Sequence, residues 1–464
     1  MTAPLSYASS FDLKKVTIKS VDGGQTLDIT NLIIRFDYFE NINLPTISGN
    51  LDIVDSGANI IATLPIQGYE DVEITLETID KKQHEYKFKV YRVYNRFSGD
   101  RFQKYSLGLI SEEALLNESV KVPKTLKGKA DGIVRALLTE HLGTKKKIET
   151  ESAAFDIIFH PGKKTPFSIV ETVKMKTVAQ KASNKATPVE SSTPTGPATA
   201  DETESRGKMS GSAGYLFFEN KDGYHFKSID RLNSRKDNPP VAVYTQENAQ
   251  IGGPAPSKIV DIDFEQEIDL LTKLRTGAFS SVICFYNYST GAYEEFEYKL
   301  DESFKEMQHL GSQTGLLKGQ KLLSNKPTRV MSVLIDHETW FSGTEVASPE
   351  KRDGGKGKAE FPDFQKYYMS QSIARLNSLN NQQVKIEVPS NPSLRVGQTV
   401  EIRIPNQIQT SERKKEVYDT EHSGVYLIAE LNHAFDPKKA QANTFLTLIR
   451  DSYGKPDELS KAKT

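Results

Sequence analysis

The chain carries one strand–turn–strand pattern twice, once near each end of the sequence. The first copy occupies 86–97 and 105–110, and the second occupies 424–435 and 445–450. In each copy an apolar strand ends in Asn-x-Phe or Asn-x-x-Phe, a polar connection follows, and a second strand contains Leu-x-Leu-Ile. Apolar residues that alternate with a period of two are typical of β-strands, so each copy predicts an antiparallel hairpin. The positions that define the repeat are Asn95, Phe97, Leu107, Leu109, Asn432, Phe435, Leu446 and Leu448.

Two interpretations of this repeat are open. One is that any two antiparallel hairpins look alike. The other is an internal duplication of a β-domain of about 100 residues, which is a typical domain size. Each copy also follows a further predicted strand, at 68–76 and at 394–404. We favour duplication because the order, the spacing and the Asn-to-Phe ending agree in both copies.

Length and charge limit the class of protein. A chain of 464 residues is too long for a single hydrophobic core and predicts about three or four domains. The 60 Lys and Arg residues against 61 Asp and Glu residues give a net charge of −1, so no sequence-specific nucleic-acid binding is expected. The single cysteine, Cys284, excludes an intrachain disulfide and is compatible with a reducing cytoplasm. No apolar run approaches the roughly 20 residues of a membrane helix, so no membrane insertion is expected.

Turn and cap signals divide the first half of the chain. Strand patterns predict a first β-barrel domain at 10–115, and helical spacing begins after it. Thr165-Pro166 has the capping hydroxyl and the first-turn proline of a helix start. Asp222-Gly223, between two aromatic runs, predicts a hairpin turn. We therefore predict a small α+β domain at 116–240. Within it, 180–213 is rich in Ala, Ser, Thr, Pro, Lys and Glu, which predicts a flexible insertion.

Strand patterns return in the second half of the chain, after a Gly- and Pro-rich stretch. We predict a second β-barrel domain from 258–300 and 382–452, interrupted by an excursion at 301–381 and followed by a polar tail at 453–464. The excursion contains a predicted helix at 363–380, whose apolar stripe comprises Phe364, Tyr367, Tyr368, Leu376 and Leu379. The predicted fold class is α+β and mostly antiparallel β, with two similar β-barrel domains, a small α+β domain and a helical excursion.

Fragments of catalytic motifs occur, but none has the spacing that its chemistry requires. Gly354-Gly355-Lys356-Gly357-Lys358 is similar to a phosphate-binding loop, yet Ala359 stands where that loop needs Ser or Thr. His84-Glu85 and His337-Glu338 lack the second histidine, at helical spacing, of a zinc-protease helix. The sequence predicts no catalytic, metal-binding or cofactor-binding residue, and hence no enzyme.

Three segments resemble baseplate hub proteins of T-even-like contractile-tailed bacteriophages. The run 214–226, preceded by Thr165-Pro166-Phe167, resembles the middle domain of that family. The closing segment 394–450 resembles its last barrel strands, and 36–53 is similar to its first domain. The resemblance spans most of the chain, but the insertion at 180–213 departs from the family's pattern.

The resemblance implies a structural protein of a viral tail. In this family two similar β-barrel domains per chain form a homotrimeric ring that adapts the six-fold tail tube to the three-fold central spike. It further implies contacts with tail-tube or tube-initiator proteins and with baseplate wedge proteins, no cofactor, and a place in the virion after assembly in the host cytoplasm. The alternatives are a hub of a tailocin or another contractile injection system, a tail-associated cell-wall hydrolase, and an adhesin.

Overall fold

The computed structural model of the chain describes residues 9–57, 64, 66–154, 156–180, 211–246, 257–266, 269–287, 292–304, 307–311, 326–335, 361–405, 418–419 and 421–454. Antiparallel strands dominate this part of the chain, and a few short helices accompany them. The predicted class, α+β and mostly antiparallel β, is confirmed at this level. No helix among the described residues is long and apolar enough to cross a membrane.

The N-terminal segment forms seven strands. They are β1 Phe11–Lys19, β2 Thr26–Asp28, β3 Ile33–Asn41, β4 Ser48–Asp55, β5 Asp71–Thr78, β6 Gln83–Ser98 and β7 Gln103–Ile110. Alternation decides which side each residue faces: on β5, Val72, Ile74 and Leu76 are fully buried, while Glu73 is exposed. The burial of these aliphatic side chains fixes the register, since a slip by one residue would expose all three.

The middle segment folds into an α+β unit with its own core. Its helices are α1 Glu112–Ser119, α2 Ala130–Ala136, α3 Pro166–Lys174 and α4 Ile229–Asn233, and its strands are β8 Leu126–Lys129, β9 Ile148–Thr150, β10 Asp156–Phe159, β11 Val178–Gln180, β12 Gly211–Ala213, β13 Tyr215–Asn220 and β14 Gly223–Ser228. Helix α3 begins at the predicted proline. Phe217 and Phe226 of the β13–β14 hairpin share a buried cluster with the apolar sides of α2 and α3, whereas Phe218 lies in the cluster of the large sheet. These elements lie within and beside the segment 116–240, for which an α+β domain is predicted.

The described residues of the C-terminal segment form nine strands and three helices. They are β15 Val243–Thr245, β16 Asp261–Gln266, α5 Leu270–Thr276, β17 Ser280–Asn287, β18 Ala292–Lys299, α6 Leu300–Ser303, β19 Arg329–Ile335, α7 Phe361–Ser378, β20 Gln382–Pro389, β21 Thr399–Arg403, β22 Gly424–Asp436 and β23 Gln441–Arg450.

One 13-stranded sheet joins the two ends of the chain. Its main path runs β16-β20-β23-β22-β3-β4-β7-β6-β5-β1-β2, and β21 and β15 extend from β22. The junction is the antiparallel pair β3–β22, in which Phe36 lies opposite Phe435 and Asn41 opposite Glu430. Both halves also bury their apolar side chains in one continuous cluster. Strand β22 thus continues the sheet formed by the strands of the predicted first domain at 10–115. Among the described residues the path ends at β2 and at β16, so the two barrels remain a prediction.

The predicted second β-domain differs from the structure at β17 and β18. Only β16, from the predicted segment 258–300, joins the large sheet. Strands β17 and β18 instead form a separate three-stranded sheet with β19, to which β17 pairs in parallel. Alternation in β17 and β18 shows that they are strands but cannot show which sheet they join. That choice depends on β19, which lies in the predicted excursion.

The insertion predicted at 180–213 is anchored by a short hairpin. Strands β11 and β12 pair antiparallel, with Gln180 opposite Gly211, and residues 181–210 lie outside the described part. Joining Gln180 to Gly211 by an Asn-Gly turn suits a two-residue hairpin loop. We expect this replacement of 181–210 to change the free energy of unfolding by less than about 1 kcal/mol in urea titrations. Deleting β11 and β12 as well should destabilise the chain, because Ala179 and Ala213 are buried. Failure of the shortened chain to fold would contradict the prediction that this segment is a dispensable insertion.

Candidate functional site

The two predicted hairpins share their register and a bulge. In β6–β7, Leu109 lies opposite Val90 and Leu107 opposite Val93, so Tyr91 is the one extra residue on β6. The pairs in β22–β23 are Leu448 with Ile428 and Leu446 with Leu431, so Ala429 is the extra residue on β22. All five of these leucines are buried. A bulge at the same step of both hairpins is the strongest structural likeness between the two halves.

The Asn and Phe positions of the repeat do not share that register. Once the leucines are aligned, Asn432 corresponds to Tyr94 and lies in a regular ladder opposite Phe445. Asn95 instead belongs to a second bulge and has a positive φ of 54°. Phe97 is 60% exposed, whereas Phe435 is 1% exposed. The sequence pattern aligns Asn95 with Asn432 and Phe97 with Phe435 by their spacing along the chain. The second bulge occurs only in the first hairpin, so these residues do not occupy equivalent positions in the two hairpins.

Phe435 lies in an aromatic cluster made mostly by the N-terminal half. Its ring stacks on Phe36 with centroids 5.6 Å apart and meets Phe11 edge-on at 5.2 Å. Tyr86 and His433 complete its surroundings. The cluster therefore combines β1, β3 and β6 with β22, and the second hairpin fills the core of the first half.

The predicted hairpin turn at Asp222-Gly223 is present one residue earlier. Asn220 pairs with Gly223, so Lys221 and Asp222 form the loop. Gly223 has φ 134°, and a Cβ there would lie 2.1 Å from the carbonyl oxygen of Lys147. Glycine is required at this position because the backbone just before β9 passes too close to leave room for a side chain.

A buried carboxylate on β3 connects three distant segments. The Tyr38 hydroxyl and the Lys221 backbone N–H donate to Glu40 Oε1 at 2.6 and 2.8 Å. The Val396 N–H donates to Glu40 Oε2 at 2.8 Å. Burial raises the pKa of Glu40, and these three donors partly offset the increase by favouring the charged form. Glu40 thus ties the large sheet to the β13–β14 turn and to the loop before β21.

A second buried carboxylate fastens the α+β unit to the sheet. Lys146 Nζ lies 2.5 Å from Glu219 and 2.5 Å from Glu113. The backbone N–H of Ile47, just before β4, donates to Glu219 at 3.0 Å. Burial raises the pKa of Glu219, and the charge of Lys146 opposes that increase. A lysine between two acidic groups satisfies a charge that would otherwise be costly to bury.

Arg375, in the last turn of α7, is fully buried and forms the third junction. Its guanidinium donates to Asp451 at 2.8 Å, to Asp230 at 2.7 Å and to the carbonyl of Gln308 at 2.9 Å. Burial alone would raise the pKa of Asp451, but His309 and Arg375 outweigh it and hold that pKa well below its usual value. These contacts join α7, α4 and the segment that follows β23.

The three junctions are absent from the sequence prediction. Of the predicted apolar stripe on the helix at 363–380, the side chains of Phe364, Tyr367 and Tyr368 lie outside the described part, and Leu379 is buried. Helical spacing could have found Arg375, which stands four residues before Leu379 on the same face. Glu40 gives no such signal, since it appears in sequence as an ordinary acidic residue of a strand.

The described polar clusters lie between segments that are distant in sequence. No group of three or more His, Cys, Asp or Glu residues in the described part could hold a metal ion. The Gly354–Lys358 and His337-Glu338 motifs lie outside the described residues. His84 is half-buried, and burial lowers its pKa to about 4. The described polar clusters are hydrogen-bonded across segments, so their chemistry is that of rigid attachment.

Comparison with known proteins bears on the fold. No protein-family model and no curated protein sequence matches the chain. Among solved structures, a tail protein from Neisseria meningitidis MC58 matches 96% of this chain and 100% of its own, with a TM-score of 0.51 and 12% identity. The prophage MuSo2 43 kDa tail protein from Shewanella oneidensis matches 94% and 98%, with a TM-score of 0.48 and 9% identity. The prophage tail protein gp18 from Listeria monocytogenes matches 94% and 94%, with a TM-score of 0.44 and 8% identity. The first match shows a shared fold over nearly the whole chain and confirms the predicted resemblance at that level.

Proposed function

We propose that this chain is a structural hub of a contractile-tail baseplate, a homotrimeric ring between the six-fold tail tube and the three-fold central spike. The observation that carries the proposal is the fold shared with a tail protein over 96% of this chain and 100% of that one. A match of both chains over nearly their whole length supports a role for the entire chain, whereas a single common domain would support far less.

The matching hairpins support the symmetry part of the proposal. Each chain presents β6–β7 and β22–β23 with the same bulge step, so three chains would present six similar elements. Such a ring needs a heterologous interface that closes, with two different complementary faces on every chain. The bridge between Ser10 and Gln441 brings the start of β1 to the second hairpin, which supports the predicted barrel shape of the N-terminal half.

The three buried junctions support the mechanical part. A hub that is driven downward with tube and spike must not shear between its parts. Glu40, Glu219 and Arg375 each connect segments far apart in sequence through charge-assisted hydrogen bonds, which are stronger than neutral ones. The proposed partners are the central spike, the tail-tube or tube-initiator proteins and the baseplate wedge proteins, and the proposed place is the virion tail, without enzymatic activity.

The test is assembly of the purified full chain with the spike and tube proteins of the same tail. We expect light scattering after size-exclusion chromatography to give the mass of three hub chains per spike. The spike of an unrelated tail is the control and should not co-elute. A chain that binds neither spike nor tube contradicts the proposal. Lysis of peptidoglycan by the isolated chain would favour a cell-wall hydrolase instead, and attachment to host cells would favour an adhesin.

A further inference from the structure

Near the turn of the first hairpin, strand β6 is largely exposed. Strand β5 pairs with β6 only as far as Lys89, so from Tyr91 onward β6 has β7 on one side and no described strand on the other. Tyr91 is 44% exposed, Phe97 60% and Phe102 43%. These aromatic side chains form a patch that the chain itself does not cover, and aromatic residues are enriched at protein interfaces.

The same end of the hairpin is basic. Arg92, Arg96, Arg101 and Lys104 are exposed there, and Asp100 is the one acidic residue in the turn. The Arg92 guanidinium lies over the Tyr94 ring at 4.1 Å, which holds it on the outer face. We call Tyr91, Arg92, Arg96, Phe97, Arg101 and Phe102 together the basic tip.

The far end of the large sheet is acidic. Strand β16 is the last on its path, and no described strand pairs with its outer side. Ile262 and Phe264 pack against the core, so alternation puts Asp261, Asp263 and Glu265 on the outer face. We call these three residues, with the 53% exposed Val260, the acidic edge.

The acidic edge contains a like-charge pair, which a 2.7 Å hydrogen bond from the Asn443 side chain to Glu387 relieves only in part. Asp261 lies directly opposite Glu387 on β20, and like charges at such positions destabilise a sheet. Burial first, and then the charge of Asp261, raise the pKa of Glu387. Lys385 forms an ion pair with Glu265, but no described cation forms an ion pair with Asp261 or Asp263. Lys385 also lies directly opposite Asp263, and its pKa is raised first by Glu265 and further by Asp263. The three acidic residues of the edge thus outnumber the lysine opposite them, and a cation from another molecule would be attracted there.

The basic tip and the acidic edge are complementary but lie apart on one chain. Six strands separate β6 from β16 along the sheet, which corresponds to about 34 Å at about 4.8 Å per step. Two different and complementary surfaces on one protomer are what a head-to-tail ring requires. The bulges at Tyr91 and Asn95 interrupt the free edge of β6, so side chains, and not a continued ladder, must make the contact.

We propose that the basic tip of one copy docks on the acidic edge of the next copy and so closes the ring. Arg92 and Arg96 face Asp261 and Asp263, while Phe97 and Phe102 cover Val260. This inference rests on the proposed homotrimer and names the two surfaces that would build it.

The test is a charge exchange in the full chain. We expect the variants R92E/R96E and D261K/D263K each to weaken the trimer about 100-fold, because like charges then meet at the interface. The variant that carries all four substitutions should restore the trimer. An equimolar mixture of the two double variants should not form it, because the two species must alternate and a ring of three cannot alternate. Light scattering over a concentration series measures each mass.

A matched control uses an ion pair away from both surfaces. Glu73 and Lys87 face each other on β5 and β6 at 3.2 Å and are both exposed, so E73K/K87E should leave the trimer unchanged. If the wild type is a trimer and both double variants remain trimers, these surfaces are refuted and the proposed hub function still stands. A wild-type chain that stays monomeric, alone and with its spike, would refute the ring itself. A chain that is monomeric alone but trimeric on the spike is tested by the same variants in that complex.

Discussion

Replacing Arg375 with leucine should lower the free energy of unfolding by about 3–5 kcal/mol, because removing one partner of a buried ion pair leaves the other charge uncompensated. Asp451 is completely buried, and its carboxylate accepts a hydrogen bond from the Arg375 guanidinium at 2.8 Å. Leucine fills much of the space but donates no hydrogen bond. Asp451 then keeps hydrogen bonds only from His309, the Leu310 backbone N–H and the Ser452 hydroxyl. Guanidinium titration followed by circular dichroism measures the loss, and R275L is the control. Arg275 is exposed, so its replacement should cost no more than about 0.5 kcal/mol.

The pH dependence of this loss has a definite sign. The folded-state pKa of Asp451 is depressed, so its contribution to stability is present above its unfolded pKa of about 3.9 and is lost as pH falls through the folded value. Burial raises the pKa of Asp451, and in R375L fewer positive charges oppose that effect. The folded-state pKa of Asp451 is therefore higher in R375L than in the wild type. We therefore expect the difference between wild type and R375L to be largest near neutral pH and to shrink below about pH 4. A difference that stays constant down to low pH would show that lost packing, and not the charge of Asp451, causes the destabilisation.

Local features of the fold were predictable from local chemistry. The proline at the start of α3, the aromatic hairpin β13–β14 and both Leu-x-Leu-Ile strands appear where the pattern puts them. Each of these features is indicated by a turn, a helix cap or a period-two run of apolar residues. The residues that cause each feature therefore lie within a few positions of it.

Features set by contacts distant in sequence were not predictable in the same way. The pairing of β3 with β22 joins segments from opposite ends of the chain, and no residue in either strand indicates the other. Bulges have the same effect at short range: the extra residues near Asn95 shift the register by an amount that spacing alone does not reveal. The buried charges are a third case, since Glu40 and Arg375 differ from surface residues only through partners that folding brings to them.

The two phenylalanines of the repeat should respond very differently to truncation. F435A is expected to lower the free energy of unfolding by about 3–5 kcal/mol, the usual cost of removing a buried aromatic side chain. F97A should change it by no more than about 0.5 kcal/mol, since Phe97 is largely exposed in the monomer. Both substitutions remove the same atoms, so the difference between them measures burial alone. Urea titrations at a dilution where the chain is monomeric give the two values.

The F435A variant also tests whether the two halves fold as one unit. Phe435 belongs to β22, yet its ring contacts are Phe11, Phe36 and Tyr86 of the N-terminal half. If the shared sheet and core make the halves cooperative, hydrogen exchange of β5 amides, which lie on the far side of β6, should accelerate together with that of β23. Two independent barrels predict instead that β23 exchanges faster while β5 keeps its protection. Equal losses from F97A and F435A would mean that the two hairpins are buried alike, and the aromatic cluster would then not be what joins the ends of this chain.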